Sequence, residues 1–98
     1  MVERHVYVKF KSDYANPASR EEAAVRSRAL SEIPGVTSVR VGIPADESSL
    51  AAWDMCIALT FDSLDAVEPY RVHPDHQAFL DDFLNPRAEV KKAWNFEV

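Results

Sequence analysis

From Trp53 to Phe61 the chain reads Trp-Asp-Met-Cys-Ile-Ala-Leu-Thr-Phe, and every second residue is large and apolar. Side chains of a strand alternate between its two faces, so Trp53, Met55, Ile57, Leu59 and Phe61 are predicted on one side. Asp54, Cys56, Ala58 and Thr60 take the other. A strand so divided belongs in an antiparallel sheet whose apolar face is covered and whose second face is left open. That constraint governs the rest of the chain.

His5 to Phe10 alternates in the same way, with Val6, Val8 and Phe10 opposite His5, Tyr7 and Lys9. Asn16-Pro17 followed by Ser19 and Glu22 in capping-box spacing predicts a helix to about Glu32. Val25, Ala29, Leu30 and Ile33 would be its buried stripe, and Pro34-Gly35 would stop it. A strand from Val36 to Gly42 follows, then an exposed loop from Ile43 to Ala52. After the third strand, Asp62-Ser63 starts a short helix through Tyr70 that Pro69 should kink or end early. A further helix spans about Pro74 to Leu84 and is broken at Asn85-Pro86. The last strand, about Glu89 to Val98, carries Trp94, Phe96 and Val98 on one face.

The order is β-α-β-β-α-β, which predicts an α+β fold of the ferredoxin-like plan over residues 1–98. Helices would cover one face of a four-stranded antiparallel sheet. An uncovered sheet face on so small a domain calls for a partner, so a homodimer through the sheet faces with two-fold symmetry is expected. Net charge −5 with scattered basic residues argues against nucleic acid, which needs a concentrated basic surface. No apolar run approaches the roughly 18 residues of a spanning helix. Lone Cys56 excludes an internal disulfide, and with no signal-like start the expected location is the cytoplasm.

Chemistry-bearing residues concentrate at Tyr70-Arg-Val-His73-Pro74-Asp-His76. Pro74 suits a first helical turn, and His76, Phe79, Leu80 and Phe83 then share one face. An imidazole on an apolar face either carries protons at the rim of a pocket or donates to a backbone carbonyl as packing. His76 has the ordinary pKa for the first role, about 6.5, and Tyr70 can steady it or stabilise an enolate oxygen. His73, before a proline, is placed as the helix cap. The His73–His76 pair lacks a third ligand, so no metal is expected. Cys56 has no basic neighbour to activate it and reads as packing.

These pieces together resemble a family. Lys9-Phe10-Lys11, Ile33-Pro34-Gly35-Val36, Gly42, Trp53-Asp54, Thr60-Phe61, Tyr70-x-x-His73-Pro74-x-His76 and Asn95-Phe96-Glu97 occur in the order found in stress-responsive dimeric α/β-barrel (Dabb) domains. The resemblance implies the dimeric barrel that the open sheet face suggests independently. Similarity to the family's olivetolic acid cyclase branch implies that Tyr70 and His76 work together on a polyketide-like substrate between sheet and helices. Other pocket positions of that branch fall on Arg26 and Met55. Its strand-one histidine falls on His5 by distance from the start and on Arg4 by alignment of Lys9-Phe10-Lys11.

The expected catalytic pair is therefore His76 and Tyr70. The expected ligand contacts are His5, Arg26, Trp53, Met55, His73, Phe79, Phe83 and Trp94, with no cofactor. The leading expectation is a protein that binds a small hydrophobic or aromatic ligand and performs acid–base chemistry on it. A non-catalytic stress-associated oligomer and a cofactor-free monooxygenase of the antibiotic-biosynthesis type are the alternatives.

Overall fold

The computed structural model describes all 98 residues and builds one antiparallel sheet in the order β2-β3-β1-β4. The strands are β1 (Val2–Phe10), β2 (Val36–Gly42), β3 (Met55–Phe61) and β4 (Ala88–Glu97). The central pair sets the register, with Val6 opposite Ile57 on one side and Ala93 on the other. Val2, Val8 and Phe10 of β1 and all four alternate apolar residues of β3 are buried beneath the helices. The sequence order and the helices-on-one-face plan are both met.

The first helix, α1 (Pro17–Arg28), begins one turn earlier than the capping box implied. Asn16 is its cap, accepting from the Ser19 amide at 2.9 Å. The buried stripe of this helix is Ala23, Ala24 and Ser27, and Val25 is exposed. A 3-10 turn at Ala29–Glu32 carries Leu30 into the core, and Gly35 turns the chain with φ +94°, a conformation only glycine adopts without strain. The expected loop after β2 contains a short helix, α2 (Glu47–Ala52), capped by Asp46. Asp-Glu-Ser-Ser supplies a cap and an acidic first turn, a start signal that the loop-like composition concealed.

The alternation of β3 does not extend back to Trp53. The strand begins at Met55, and the chain bends at Asp54 so that its carboxylate turns inward and is fully buried. There it accepts from the Phe10 amide at 2.8 Å and pairs with Arg20 at 3.0 Å and Lys9 at 3.5 Å. Trp53 leaves the core line and packs on Tyr7, ring centroids 5.5 Å apart.

A 3-10 turn at Leu64–Ala66 leads into α3 (Val67–Arg71), whose first turn contains Pro69. The next helix, α4 (Pro74–Ala78), opens into a π-helical turn at Phe79–Leu84 and closes in α5 (Asn85–Arg87). Asn85-Pro86 therefore does not break the helix; Pro86 lies in the first turn of α5, where its missing N–H is tolerated.

The open sheet face is not confined to the small and weakly polar residues of β3. Beside Cys56, Ala58 and Thr60 it carries His5, Tyr7, Trp94 and Phe96, the last two each 51% exposed. His5 lies edge-on to Phe96 at 5.2 Å and Tyr7 lies 6.3 Å from Trp94.

Candidate functional site

The helix side of the sheet encloses a cavity of about 230 Å³ between β1, β3 and β4 below and the helices from Val67 to Leu84 above. Val6, Ile57, Leu59 and Ala93 form its floor, with Phe79, Leu80 and Leu84 over them. Those last three sit on the π-helical turn, and such turns occur often at functional sites because they widen the helix locally. Six polar side chains reach the same space: Arg4, Tyr70, Arg71, His76, Gln77 and Lys91.

Tyr70 and His76 meet because α3 ends at Arg71 and α4 starts at Pro74, which folds the two helices against each other. His73 caps α4, its Nδ1 accepting from the Asp75 amide at 3.1 Å. The rings of Tyr70 and His76 lie in tilted contact, 4.3 Å between centroids and 35° between planes. Phe61 holds the other side of Tyr70 edge-on at 5.2 Å. Tyr70 is 2% exposed and His76 9%.

The hydrogen bonding of His76 fixes its chemistry. Nδ1 lies 2.9 Å from the Arg71 carbonyl oxygen. A carbonyl only accepts, so Nδ1 carries the proton and the neutral ring leaves its lone pair on Nε2. The Gln77 amide donates to the same carbonyl at 2.6 Å, so two side chains satisfy an end group of α3 that has no helical partner. Nε2 has no protein partner and is not sealed from the cavity. Burial lowers the His76 pKa from its ordinary 6.5, assisted by the charges of Arg4, Lys91 and Arg71 and opposed by the bond to the Arg71 carbonyl. The ring is thus a neutral base across the physiological range.

Tyr70 is displaced the opposite way. Burial raises its phenol well above the ordinary 10.0, with the Arg4 charge pulling slightly back. Its hydroxyl makes no hydrogen bond to the protein, yet is not sealed from the cavity. It is a neutral donor that lines the same cavity as a free base. That arrangement can remove a proton from carbon or oxygen and steady the resulting oxyanion.

Of the ten residues singled out from sequence, Tyr70, His76 and Phe79 line this cavity. His5, Trp53 and Trp94 lie on the opposite sheet face, since each is an odd step from the cavity-facing residues of its strand or precedes it. Met55 is buried in the core, where the Ser27 hydroxyl meets its sulfur at 3.6 Å. Arg26 stacks on the Phe83 ring at 4.5 Å, and Arg87 on the same ring at 4.0 Å. That places Arg26 and Phe83 outside the cavity lining. His73 is occupied as a cap. Arg4 falls where alignment on Lys9-Phe10-Lys11 places the strand-one pocket position, whereas no sequence signal points to Lys91; counting back from Val6 and Ala93 by twos puts both on the cavity side. No three of the chain's His, Cys, Asp and Glu side chains converge as a metal-binding group.

Comparison with known proteins agrees with the fold. The profile of the stress responsive A/B barrel domain matches residues 2–95. A protein of known structure from Arabidopsis thaliana superimposes with a TM-score of 0.83 at 21% identity, covering 100% of this chain and 95% of that one. A Dabb family protein with a ferredoxin-like fold from Mesorhizobium loti gives 0.81 at 22% identity over 99% and 95%. A protein from Thermobifida fusca, described as dimeric and ferredoxin-like, gives 0.78 at 18% identity over 99% and 90%. No curated protein matches the sequence. No helix is long and apolar enough to cross a membrane.

Proposed function

The chain belongs to the stress responsive A/B barrel domain family, and from that premise we propose that it is a homodimer whose protomers each perform cofactor-independent acid–base chemistry on a small, ring-sized organic ligand. The observation that carries the reading is that His76, with no protein partner on Nε2, and Tyr70, with an unbonded hydroxyl, line one cavity with their rings 4.3 Å apart. A packing histidine would have both nitrogens satisfied or open to bulk water. This one is held by Nδ1, and its Nε2 has no protein partner on a ring that lines the cavity.

In the reaction this geometry supports, Nε2 takes a proton from a carbon flanked by carbonyls. The Tyr70 hydroxyl donates to the developing enolate oxygen, and the enolate carbon attacks a second carbonyl of the same molecule. The His76 imidazolium then returns its proton to the new alkoxide, so the ring closure needs no oxidant or metal. A positioned base contributes roughly 10²–10⁴-fold to such a step. The cavity, about 230 Å³, is smaller than the roughly 300–1,000 Å³ of drug-sized sites, which restricts the substrate to about one ring with short substituents.

Dimerisation is supported by the open face. Tyr7, Trp53, Trp94, Phe96 and His5 form a continuous aromatic surface there, the kind of patch that monomers cover. A larger hollow of about 710 Å³ also opens on this side, lined by His5, Tyr7, Arg40, Cys56 and Ala58 among others. It is a broad groove on the surface a second copy would occupy, and its own His5–Tyr7 pair, 3.3 Å apart, differs from Tyr70–His76 in that Glu3 takes the other ring nitrogen of His5 at 2.6 Å.

Turnover of 1,3-dicarbonyl compounds that can close a six-membered ring tests the proposal. His76→Ala is expected to abolish it with little change in melting temperature. Activity retained in that variant would end the assignment.

A further inference from the structure

We propose that the cavity is a carboxylate-binding site, in which Arg4 and Lys91 grip the anionic group of a compact ring-sized ligand and so select which molecules reach His76. This inference rests on reading the cavity as a ligand site and adds the chemical class of the ligand.

The charge inside the cavity runs against that of the chain. Acidic residues outnumber Lys and Arg 16 to 11, yet none of the 14 residues lining the cavity is Asp or Glu, while Arg4, Arg71 and Lys91 all are part of it. Close ion pairs form at seven places in the protein, and Arg71 is in one of them, with Glu68 at 2.6 Å. Neither Arg4 nor Lys91 is in any.

Both of these cations are held by neutral amides instead. Arg4 Nη1 donates to Asn95 Oδ1 at 3.0 Å, and Lys91 Nζ donates to Asn85 Oδ1 at 2.8 Å. An amide oxygen positions a cation without neutralising it. Five N–H donors belong to a guanidinium and three to an ammonium, so most remain free for a ligand. The register explains the spacing. Arg4 pairs across the ladder with Asn95, Val6 with Ala93 and Val8 with Lys91, so the two cations flank the small Ala93 side chain on the cavity floor.

Electrostatics point the same way. Burial lowers the pKa of each group, and the charge of Arg4 lowers that of Lys91 further. The carboxylates felt there, Glu68 by Arg4 and Asp81 by Lys91, raise the values without cancelling the effect. Each cation loses some hydration to burial and neither has a close ion-pair partner, a penalty that a bound anion offsets. A carboxylate matches a guanidinium edge as a planar two-oxygen acceptor. The apolar walls of Ile57, Leu59, Leu80 and Leu84 require that it carry an organic ring, which inorganic phosphate lacks.

Isothermal titration at pH 7.5 and low salt tests this with benzoate, benzamide and inorganic phosphate against the full chain, Arg4→Met and Lys91→Met. Benzoate is expected to bind wild type at least about tenfold more tightly than its neutral isostere, the minimum for one charge-assisted hydrogen-bonded contact. Arg4→Met is expected to remove that preference while changing benzamide affinity less than about twofold. If Arg4→Met does not fold, Lys91→Met at the exposed mouth carries the test, and a preference left intact there overturns the grip. Equal binding of benzoate and benzamide to wild type overturns the carboxylate inference and leaves the cavity a ligand site. Displacement of benzoate by phosphate at similar concentration overturns the ligand class. Binding of neither aromatic probe overturns this inference and the ligand-site reading together.

Discussion

Replacing Tyr70 by Phe separates a residue kept for chemistry from one kept for packing. The ring is 2% exposed and wedged between His76 at 4.3 Å and Phe61 at 5.2 Å, and Tyr70→Phe keeps all of that contact. Only the hydroxyl is lost, and it makes no hydrogen bond to the protein. A bonded hydroxyl would contribute about 0.5–1.5 kcal/mol, whereas an unpaired buried one costs about 1–3 kcal/mol. Because this oxygen keeps some contact with the cavity, only a fraction of that cost applies. Tyr70→Phe is therefore expected to leave stability unchanged or raise it by up to about 1 kcal/mol, a shift in melting temperature of up to about 4–8 °C for a chain of this size. Calorimetry and urea unfolding at one fixed protein concentration check it, since dimer formation makes the midpoint depend on concentration. Turnover should move the other way, by about 10²–10³-fold if the hydroxyl steadies an oxyanion. A stability loss of about 1 kcal/mol or more would show that the hydroxyl is bonded in the folded protein and would refute the reasoning.

The buried Asp54 carboxylate, between Arg20, Lys9 and the Phe10 amide, should behave as a structural clamp. Asp54→Ala is expected to cost about 3–5 kcal/mol in urea unfolding, because it strands the cations and an amide. The lowered pKa of His76 gives a pH dependence of defined sign. Between the folded value and the ordinary 6.5 the unfolded chain binds more protons, so stability present above pH 6.5 is lost as pH falls through the folded value. Urea midpoints across that range should lose this slope in His76→Asn; an unchanged slope would assign it elsewhere. On the open face, Trp94→Glu is expected to shift the protein toward monomer in sedimentation while leaving its circular dichroism unaltered, and a persistent dimer would place the interface elsewhere.

The sequence made the fold legible wherever one period ran uninterrupted. Met55 to Phe61 alternates without a break, and its four apolar residues are all buried. The same rule failed at Trp53 because the chain bends one residue before the strand to bury the Asp54 carboxylate, a long-range ion pair that no local pattern announces. In α1 the apolar type of Val25 misled, because the face turned to the sheet is the one carrying Ala23, Ala24 and Ser27. Close helix–sheet approach favours the small side chains.

The candidate site was legible in its centre and obscure at its edges. Tyr70, His76 and Phe79 follow from one local motif. Family alignment points to Arg4 as an alternative to His5, whereas Lys91 reads locally as a surface charge; their place in the ladder, on the Val6 and Ala93 side, brings both to the cavity. The aromatic residues Trp53 and Trp94 looked like pocket walls by type, and their strand register sends them to the opposite face.

The cavity presents His76 as a neutral base with its lone pair on Nε2. Side-chain nitrogen-15 resonances of His76 at pH 7 measure this directly. The expected result is a protonated Nδ1 and a bare Nε2, with an imidazole that titrates below its ordinary 6.5. A proton on Nε2, or an imidazolium at that pH, would contradict it.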